Sequence, residues 1–260
     1  MAEHKITFND GAAYERMMGQ WSRLAADVFL EWLTVEPGKR WVDVGCGSGA
    51  FTETAIEACQ PAKIMGFDPS EGQIAFARKR PGAANATFEL GNAMELPLDD
   101  NSVDVATMAL VLFFVPDPTK GIAEMCRVVA PGGVVAAYSW DLLNGGFPLH
   151  ELQELLRAAG HNPPLPPSAE SSRFEAMQAL WNEAGLRDVE VREITVERTF
   201  ENFDELWEIS NLAPSIGPLV SGFPDAEVDA LKAALRTRFE PGADGRITYS
   251  ARANAAKGRV

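Results

Sequence analysis

The sequence predicts an α/β fold built on a doubly wound, mostly parallel sheet, and three observations predict it. Short apolar segments such as Trp41–Val44 and Lys63–Phe67 are each followed by a run at helical spacing, the alternation that builds parallel sheets. The stretch VDVATMALVLFFVPDP, which starts at Val103, is apolar on both strand faces, as a central strand covered on both sides must be. Between the first apolar strand and the helical run from Ala50 to Ala58 lie Gly45, Gly47 and Gly49. Such a turn at the carboxyl end of a strand is where open α/β sheets hold ligands.

At 260 residues and 46% hydrophobic content, the chain can bury a full core and suits one domain over residues 1–260 better than two. It divides into an N-terminal helical cap (1–35), a core (36–140), a helical segment (141–188) and a helical insertion (201–246) between the last two strands. The formal charge of −14 argues against a nucleic-acid partner, which needs a basic footprint. The three cysteines, Cys46, Cys59 and Cys126, show no C-x-x-C or Cys/His ligand spacing, so neither a disulfide framework nor a metal site is expected. A reducing cytoplasm fits. MAEHKITFND has no apolar leader, and the apolar run Val105–Val115 is too short to span a bilayer.

Taken in order, residues 11–33 carry Tyr14, Met17, Met18, Trp21, Leu24, Val28, Phe29 and Trp32 at helical spacing, with Asp10 placed to cap the helix. The strand at Trp41–Val44 then delivers the glycine turn. Three closely spaced glycines allow a partly left-handed backbone with no side chain in a ligand's way, and the following helix start offers backbone N–H groups. Gly45, Gly47 and Ala50 satisfy the dinucleotide pattern G-x-G-x-x-G/A, with Asp68 near the distance of a ribose-binding acid. Asp43, however, puts a carboxylate just before the glycines, where it would repel a pyrophosphate and attract an ammonium group. A phosphate-binding P-loop is excluded, because no G-K-[ST] follows.

WVDVGCGSGAFT thus resembles motif I of the class I S-adenosylmethionine-dependent methyltransferases, whose cofactor carries an amino group and a sulfonium and no phosphate. The resemblance runs from about residue 36 to 140 and is nearest the methyltransferase type 11 group that includes ubiquinone- and menaquinone-biosynthesis enzymes. It implies a Rossmann-like seven-stranded sheet with one antiparallel strand. It also implies that S-adenosyl-L-methionine lies on the turn at Gly45, Cys46 and Gly47, with Asp43 near its amino group and Asp68–Pro69 on the ribose. The segment around Tyr14 and Met18 would close over it.

Asp68 ends the second strand, and Ser70-Glu71-Gly72-Gln73 has capping-box spacing for a helix running to Arg80, where Pro81-Gly82 stops it. Gln73 stands where the family has a residue near adenine, and the capping box explains it equally well. After a third strand at Thr87–Leu90, GNAMELP resembles the family's G-D-A-x-x-L-P loop, with Asn92 for the usual aspartate. The resemblance puts Asn92 on the adenine amine and the amide of Ala93 or Met94 on a ring nitrogen. Asparagine keeps a carbonyl acceptor for that contact.

The carboxyl end of the central strand, Met108 to Leu110, would face the methyl group, with Ala109 and Leu110 lining the cofactor. Phe113 and Phe114 stand where relatives often carry histidines. A helix is expected over Asp117–Val129, and EMCRVVAPGGVVAAY resembles the family's E-x-x-R-V-L-K-P-G-G signature, in which Pro131-Gly132-Gly133 turns the chain into a fifth strand.

Farther on, His150–Ala159 reads as a helix, 162–167 as a Pro-rich loop, and Ser172-Arg173-Phe174-Glu175 as a second capping box. Val189–Val196 and Ile247–Ala255 read as late strands that flank an insertion with helices at Asp204–Leu212 and Asp225–Phe239. The insertion's apolar residues, Trp207 and Ile216 among them, suit either docking on the sheet edge or a lid over an apolar acceptor. Asn162-Pro163-Pro164-Leu165 resembles the N-P-P-aromatic clamp of amino-directed methyltransferases, but it lacks the aromatic and does not follow the fourth strand.

Methyl transfer from a sulfonium is an in-line displacement in which orientation supplies much of the acceleration. No catalytic residue is assigned: His150, His161, Asp141 and Tyr249 are candidate bases without partners at diagnostic spacing. The expectation is methyl transfer to O, N or C of a small molecule with some apolar character. A non-catalytic S-adenosylmethionine-binding module and, less well supported by Asp43, an NAD-dependent oxidoreductase are the alternatives.

Overall fold

The computed structural model describes residues 15–260. The chain enters through a wide π turn, Glu15–Gly19, and continues as α1 (Gln20–Leu33), which stops at left-handed Thr34 before Pro37-Gly38. Asp10 and Tyr14 lie outside the described residues. Then follow β1 (Arg40–Val44), α2 (Ala50–Cys59), β2 (Lys63–Asp68), α3 (Glu71–Ala77), β3 (Thr87–Leu90), β4 (Val103–Ala109) and α4 (Pro118–Val128). The second half comprises β5 (Val129–Trp140), α5 (His150–Ala158), α6 (Phe174–Glu183), β6 (Arg187–Phe200), α7 (Phe203–Ser210), α8 (Gly217–Val220), α9 (Asp225–Arg236) and β7 (Ile247–Arg259).

The seven strands form one sheet in the order β3-β2-β1-β4-β5-β7-β6. All pairs from β3 to β5 are parallel, and β7 runs antiparallel to both of its neighbours, so one strand opposes the rest. This is the Rossmann-like sheet that the sequence predicts. Strand order reverses between β1 and β4, and the carboxyl ends of β1 to β4 open on one edge at that switch point.

Alternating residues of a strand bury themselves on opposite faces, so the sheet has two cores. Trp41, Val105, Ala136 and Tyr138 join α1, α2 and the insertion on one face. Val42, Ala106, Val135 and Ala137 join α4 and α6 on the other, where the Trp181 indole N–H donates to the Val135 carbonyl at 3.0 Å. Fully burying each large apolar side chain contributes roughly 1.5–3 kcal/mol, which lets a strand as apolar as β4 hold the centre.

Several local expectations are corrected. α3 ends at Ala77 rather than Arg80, and a 3-10 turn at Pro81–Ala83 follows it. Pro131-Gly132-Gly133 does not precede β5 but lies inside it, where the register with β4 shifts and Gly132 takes φ +82°. The capping box at Ser172 does not form. Arg173 is the N-cap of α6 with no side-chain bond to the helix, and the Ser172 hydroxyl donates to the Ala169 carbonyl while accepting from the Leu142 N–H. The insertion holds three helices among the described residues instead of two. The added turn, α8, begins where the Gly217 backbone lies too close to the Asn211 carbonyl for a side chain. No helix among the described residues is long and apolar enough to cross a membrane.

Candidate functional site

β1 runs into the glycine turn because the backbone there leaves the conformations that ordinary residues adopt. Gly45, Gly47 and Gly49 have φ of +75°, +52° and +79°. At Gly45 a Cβ would lie 2.5 Å from a Val111 methyl, so both backbone conformation and space require glycine. The Gly45 and Cys46 amides both donate to the Phe67 carbonyl, tying the turn to the end of β2.

Two carboxylates flank this turn. Asp43 is fully buried; its Oδ2 accepts from the Thr52 hydroxyl at 2.6 Å, while its Oδ1 is buried with no hydrogen-bond partner among the described residues. Burial pushes its pKa up to about 7, opposed by the Thr52 hydrogen bond and reinforced by the nearby Asp68. Asp68 uses Oδ2 to accept from the Gly47 amide at 3.0 Å and Oδ1 to accept from the Ser70 amide at 2.9 Å. Burial raises its pKa too, against those two bonds. Each Asp68 oxygen is thereby aimed by backbone and keeps a second lone pair for a ligand.

Around the turn opens a cavity of about 1590 Å3. Ligand sites commonly occupy 300–1,000 Å3, so it has room for a cofactor and an acceptor together. Asp43, Gly45, Cys46, Gly47, Asp68 and Pro69 line it, and so do Gln73, Asn92, Ala93, Met94, Ala109 and Leu110. Every predicted site residue among the described ones therefore reaches a single cavity; Tyr14 lies outside the described residues. Met18 is buried in the core instead of lining the cavity, whereas Glu15, Gly19, Ser22 and Ala26 face it from the same segment.

The geometry sharpens individual roles. Ser70 caps α3 by accepting from the Gln73 amide at 3.4 Å, but the Ser70 amide donates to Asp68, so only the Ser70 half of the capping box forms, and Gln73 lines the cavity. The Asn92 carbonyl oxygen accepts from the Met94 amide at 3.0 Å, forming an Asx turn. That bond commits the Met94 N–H and leaves the Ala93 amide as the donor of that pair. Leu110 takes φ +62°, rare for a residue with a side chain, and its amide donates to the Tyr138 carbonyl at 2.8 Å. Strain of this kind concentrates at functional sites. Burial and the neighbouring Asp43 and Asp68 push the Cys46 thiol up, which disfavours the nucleophilic thiolate.

Residues missed by sequence reasoning complete the walls. Tyr138 on β5 reaches the cavity because Ala109 and Tyr138 are register partners, a pairing no local pattern announces. Phe114 and Pro164–Pro167 also line it. The Pro-rich loop is anchored there by Ser168, whose amide donates to the Phe113 carbonyl and whose hydroxyl donates to the Val115 carbonyl. The four candidate bases do not line the cavity. His161 pairs with Glu227, Asp141 with Arg252, Tyr249 packs edge-on to Phe239, and His150 opens α5. The insertion contributes no lining residue either; Trp207 and Ile216 are buried in the core on the α1 face.

Residues 42–137 match the family model described as a methyltransferase domain. A demethylmenaquinone methyltransferase from Shouchella clausii is 38% identical over 110 residues, covering 41% of this chain and 47% of that protein. The chain spans between 38% and 59% of the length of the curated relatives compared. Among solved structures, a phosphoethanolamine N-methyltransferase 2 of Haemonchus contortus, in complex with phosphomonomethylethanolamine and S-adenosylhomocysteine, superposes with a TM-score of 0.58 at 18% identity. The match covers 95% of this chain and 56% of that one. The [4+2]-cyclase SpnF superposes with a TM-score of 0.57 at 22% identity over 100% of this chain and 88% of its own. The glycine turn and both of its carboxylates, Asp43 and Asp68, lie within residues 42–137, the stretch that matches the methyltransferase-domain model.

Proposed function

We propose that this protein transfers a methyl group from S-adenosyl-L-methionine to a small-molecule acceptor with an apolar body. The observation that carries the reading is Asp43. A fully buried carboxylate with one unpartnered oxygen, set beside a turn that has no side chains in the way, is arranged for a ligand cation. Asp68 on the adjoining strand is aimed for a ribose, and Asn92 with the Ala93 amide for adenine. The cofactor, when bound, supplies an electrophilic methyl group on a sulfonium.

The chain's own residues bind, orient and exclude water. Phe51, Leu110, Phe114 and Tyr138, with the Pro164–Pro167 loop, give the rest of the cavity an apolar wall that favours an apolar acceptor over bulk water. The relatives named as demethylmenaquinone methyltransferases support an acceptor of that character. A thermal-shift series with S-adenosylmethionine, S-adenosylhomocysteine and NAD tests the cofactor reading: the first two should raise the Tm and NAD should not. Stabilisation by NAD alone would overturn it.

A second reading, a module that binds S-adenosylmethionine without transferring its methyl, is favoured by Phe114 at the cavity wall where relatives often carry histidine. The likeness to a cyclase also shows that this fold is not confined to one chemistry. Binding without turnover across O-, N- and C-acceptors would select it.

A further inference from the structure

The glycine turn is gripped from outside by a residue that no motif includes. Arg80, in the stretch after α3, donates from Nε to the Ser48 carbonyl at 3.0 Å and from Nη2 to the Ser48 hydroxyl at 3.4 Å. Its Nη1 donates to Glu53 at 2.7 Å and its Nη2 to Glu15 at 2.9 Å. Glu53 in turn accepts from the Gly82 amide at 3.0 Å, so Arg80 and the backbone beside it are both fixed. The Arg80 side chain is 13% exposed. Guanidinium alone among cationic side chains offers a planar fork able to hold two carboxylates and a carbonyl at once.

Glu15 reaches this fork because of Gly19. Gly19 has ordinary helical angles, φ −55° and ψ −46°, so its backbone does not require glycine. A side chain there would instead push the Glu15 carboxylate aside, since a Cβ would lie 2.9 Å from Glu15 Cδ and 3.1 Å from its Oε1. Glu15, Gly19, Ser48, Glu53 and Arg80 all border the same cavity.

We propose that Arg80 is a positioning residue for cofactor binding, a latch that seats the Glu15–Gly19 turn against the glycine turn, with Gly19 supplying the space the latch needs. The inference rests on the cofactor reading above. Its test is calorimetry with S-adenosylhomocysteine, together with Tm, on the full chain and on Glu15→Gln, Arg80→Gln and Gly19→Ala. Glu15→Gln should weaken binding about three- to tenfold and Arg80→Gln at least as much, with the double variant no weaker than Arg80→Gln alone. Gly19→Ala should weaken binding as Glu15→Gln does while Tm holds or rises, since alanine favours helix. Loss of structure would move Tm and affinity down together.

Adding Gly19→Ala to Glu15→Gln should change nothing further, and a further loss there would overturn the latch in favour of a direct clash with the ligand. Wild-type binding matched by unchanged affinity in both Glu15→Gln and Gly19→Ala would overturn the latch and spare the cofactor reading. No binding by the wild type would overturn both. If Arg80→Gln fails to fold, the Glu15 and Gly19 variants decide.

Discussion

The cofactor edge of the sheet and the insertion after β6 are made of the same materials and organised to opposite ends. At the edge, β1 to β4 end in glycines at positive φ, a strained Leu110, the buried Asp43 and the half-buried Asp68 around a cavity of about 1590 Å3. In the insertion region, Leu206, Ile209, Leu235 and Phe239 close on Met17, Trp21 and Tyr249 around a void of about 20 Å3. One region strains its backbone around an open cavity; the other closes by packing, even with Asn211 Oδ1 buried and without a partner among the described residues. Burial alone therefore does not mark a site. Trp207 and Asp43 are both buried, but only Asp43 carries an unmet hydrogen-bonding demand.

The sharpest way to break this contrast is Gly45→Val. A side chain there meets Val111 and forces a branched residue into left-handed backbone, so S-adenosylhomocysteine binding should fall at least a hundredfold by calorimetry. Trp207→Ala probes the opposite region. It should lower unfolding stability by about 3–5 kcal/mol in a denaturant titration while leaving that affinity within about twofold. A large loss of affinity with little loss of stability would restore the lid role for the insertion.

Asp43→Asn sharpens the comparison through pH. An acid whose pKa is higher folded than unfolded keeps its proton longer in the folded chain. Asp43 therefore makes the ligand-free protein lose stability as pH rises from about 4, near its ordinary value of 3.8, to about 7, by about 1 kcal/mol for each pH unit of that window. Chemical denaturation across that range should show the slope in the wild type and its loss in Asp43→Asn. A ligand ammonium prefers the ionised form, so affinity for S-adenosylhomocysteine should weaken as pH falls below about 7, and binding should release a proton into the buffer. The variant should bind about ten- to a hundredfold more weakly and lose that dependence. The smallest effect is expected for Asn92→Ala, which removes the Asx bond to Met94 and should cost about 1 kcal/mol of binding.

The site was legible in the sequence wherever its chemistry is local. Asp43, the glycines and Asp68 announce themselves because a strand end, a turn and a helix start follow one another along the chain, and the register of β1 with β2 merely sets them side by side. The capping boxes show the limit of such reading. Ser70 and Ser172 have the same spacing, yet only Ser70 caps its helix, because Ser172 is drawn into bonds with Ala169 and Leu142. Arg80, Tyr138 and the Pro164–Pro167 loop carry no motif, since what matters about them is which distant segment they meet.

By itself the sequence determined the α/β alternation, the glycine turn and the demand for a cationic nucleoside ligand, because periodicity, backbone freedom and the placement of a charge are properties of neighbouring residues. Only the tertiary structure decided that Asp43 keeps an oxygen unpartnered, that the insertion packs away from the cavity, and that Arg80 holds the turn to Glu15. Those outcomes depend on which remote groups compete for each hydrogen bond and each volume, and that competition exists only once the chain has folded.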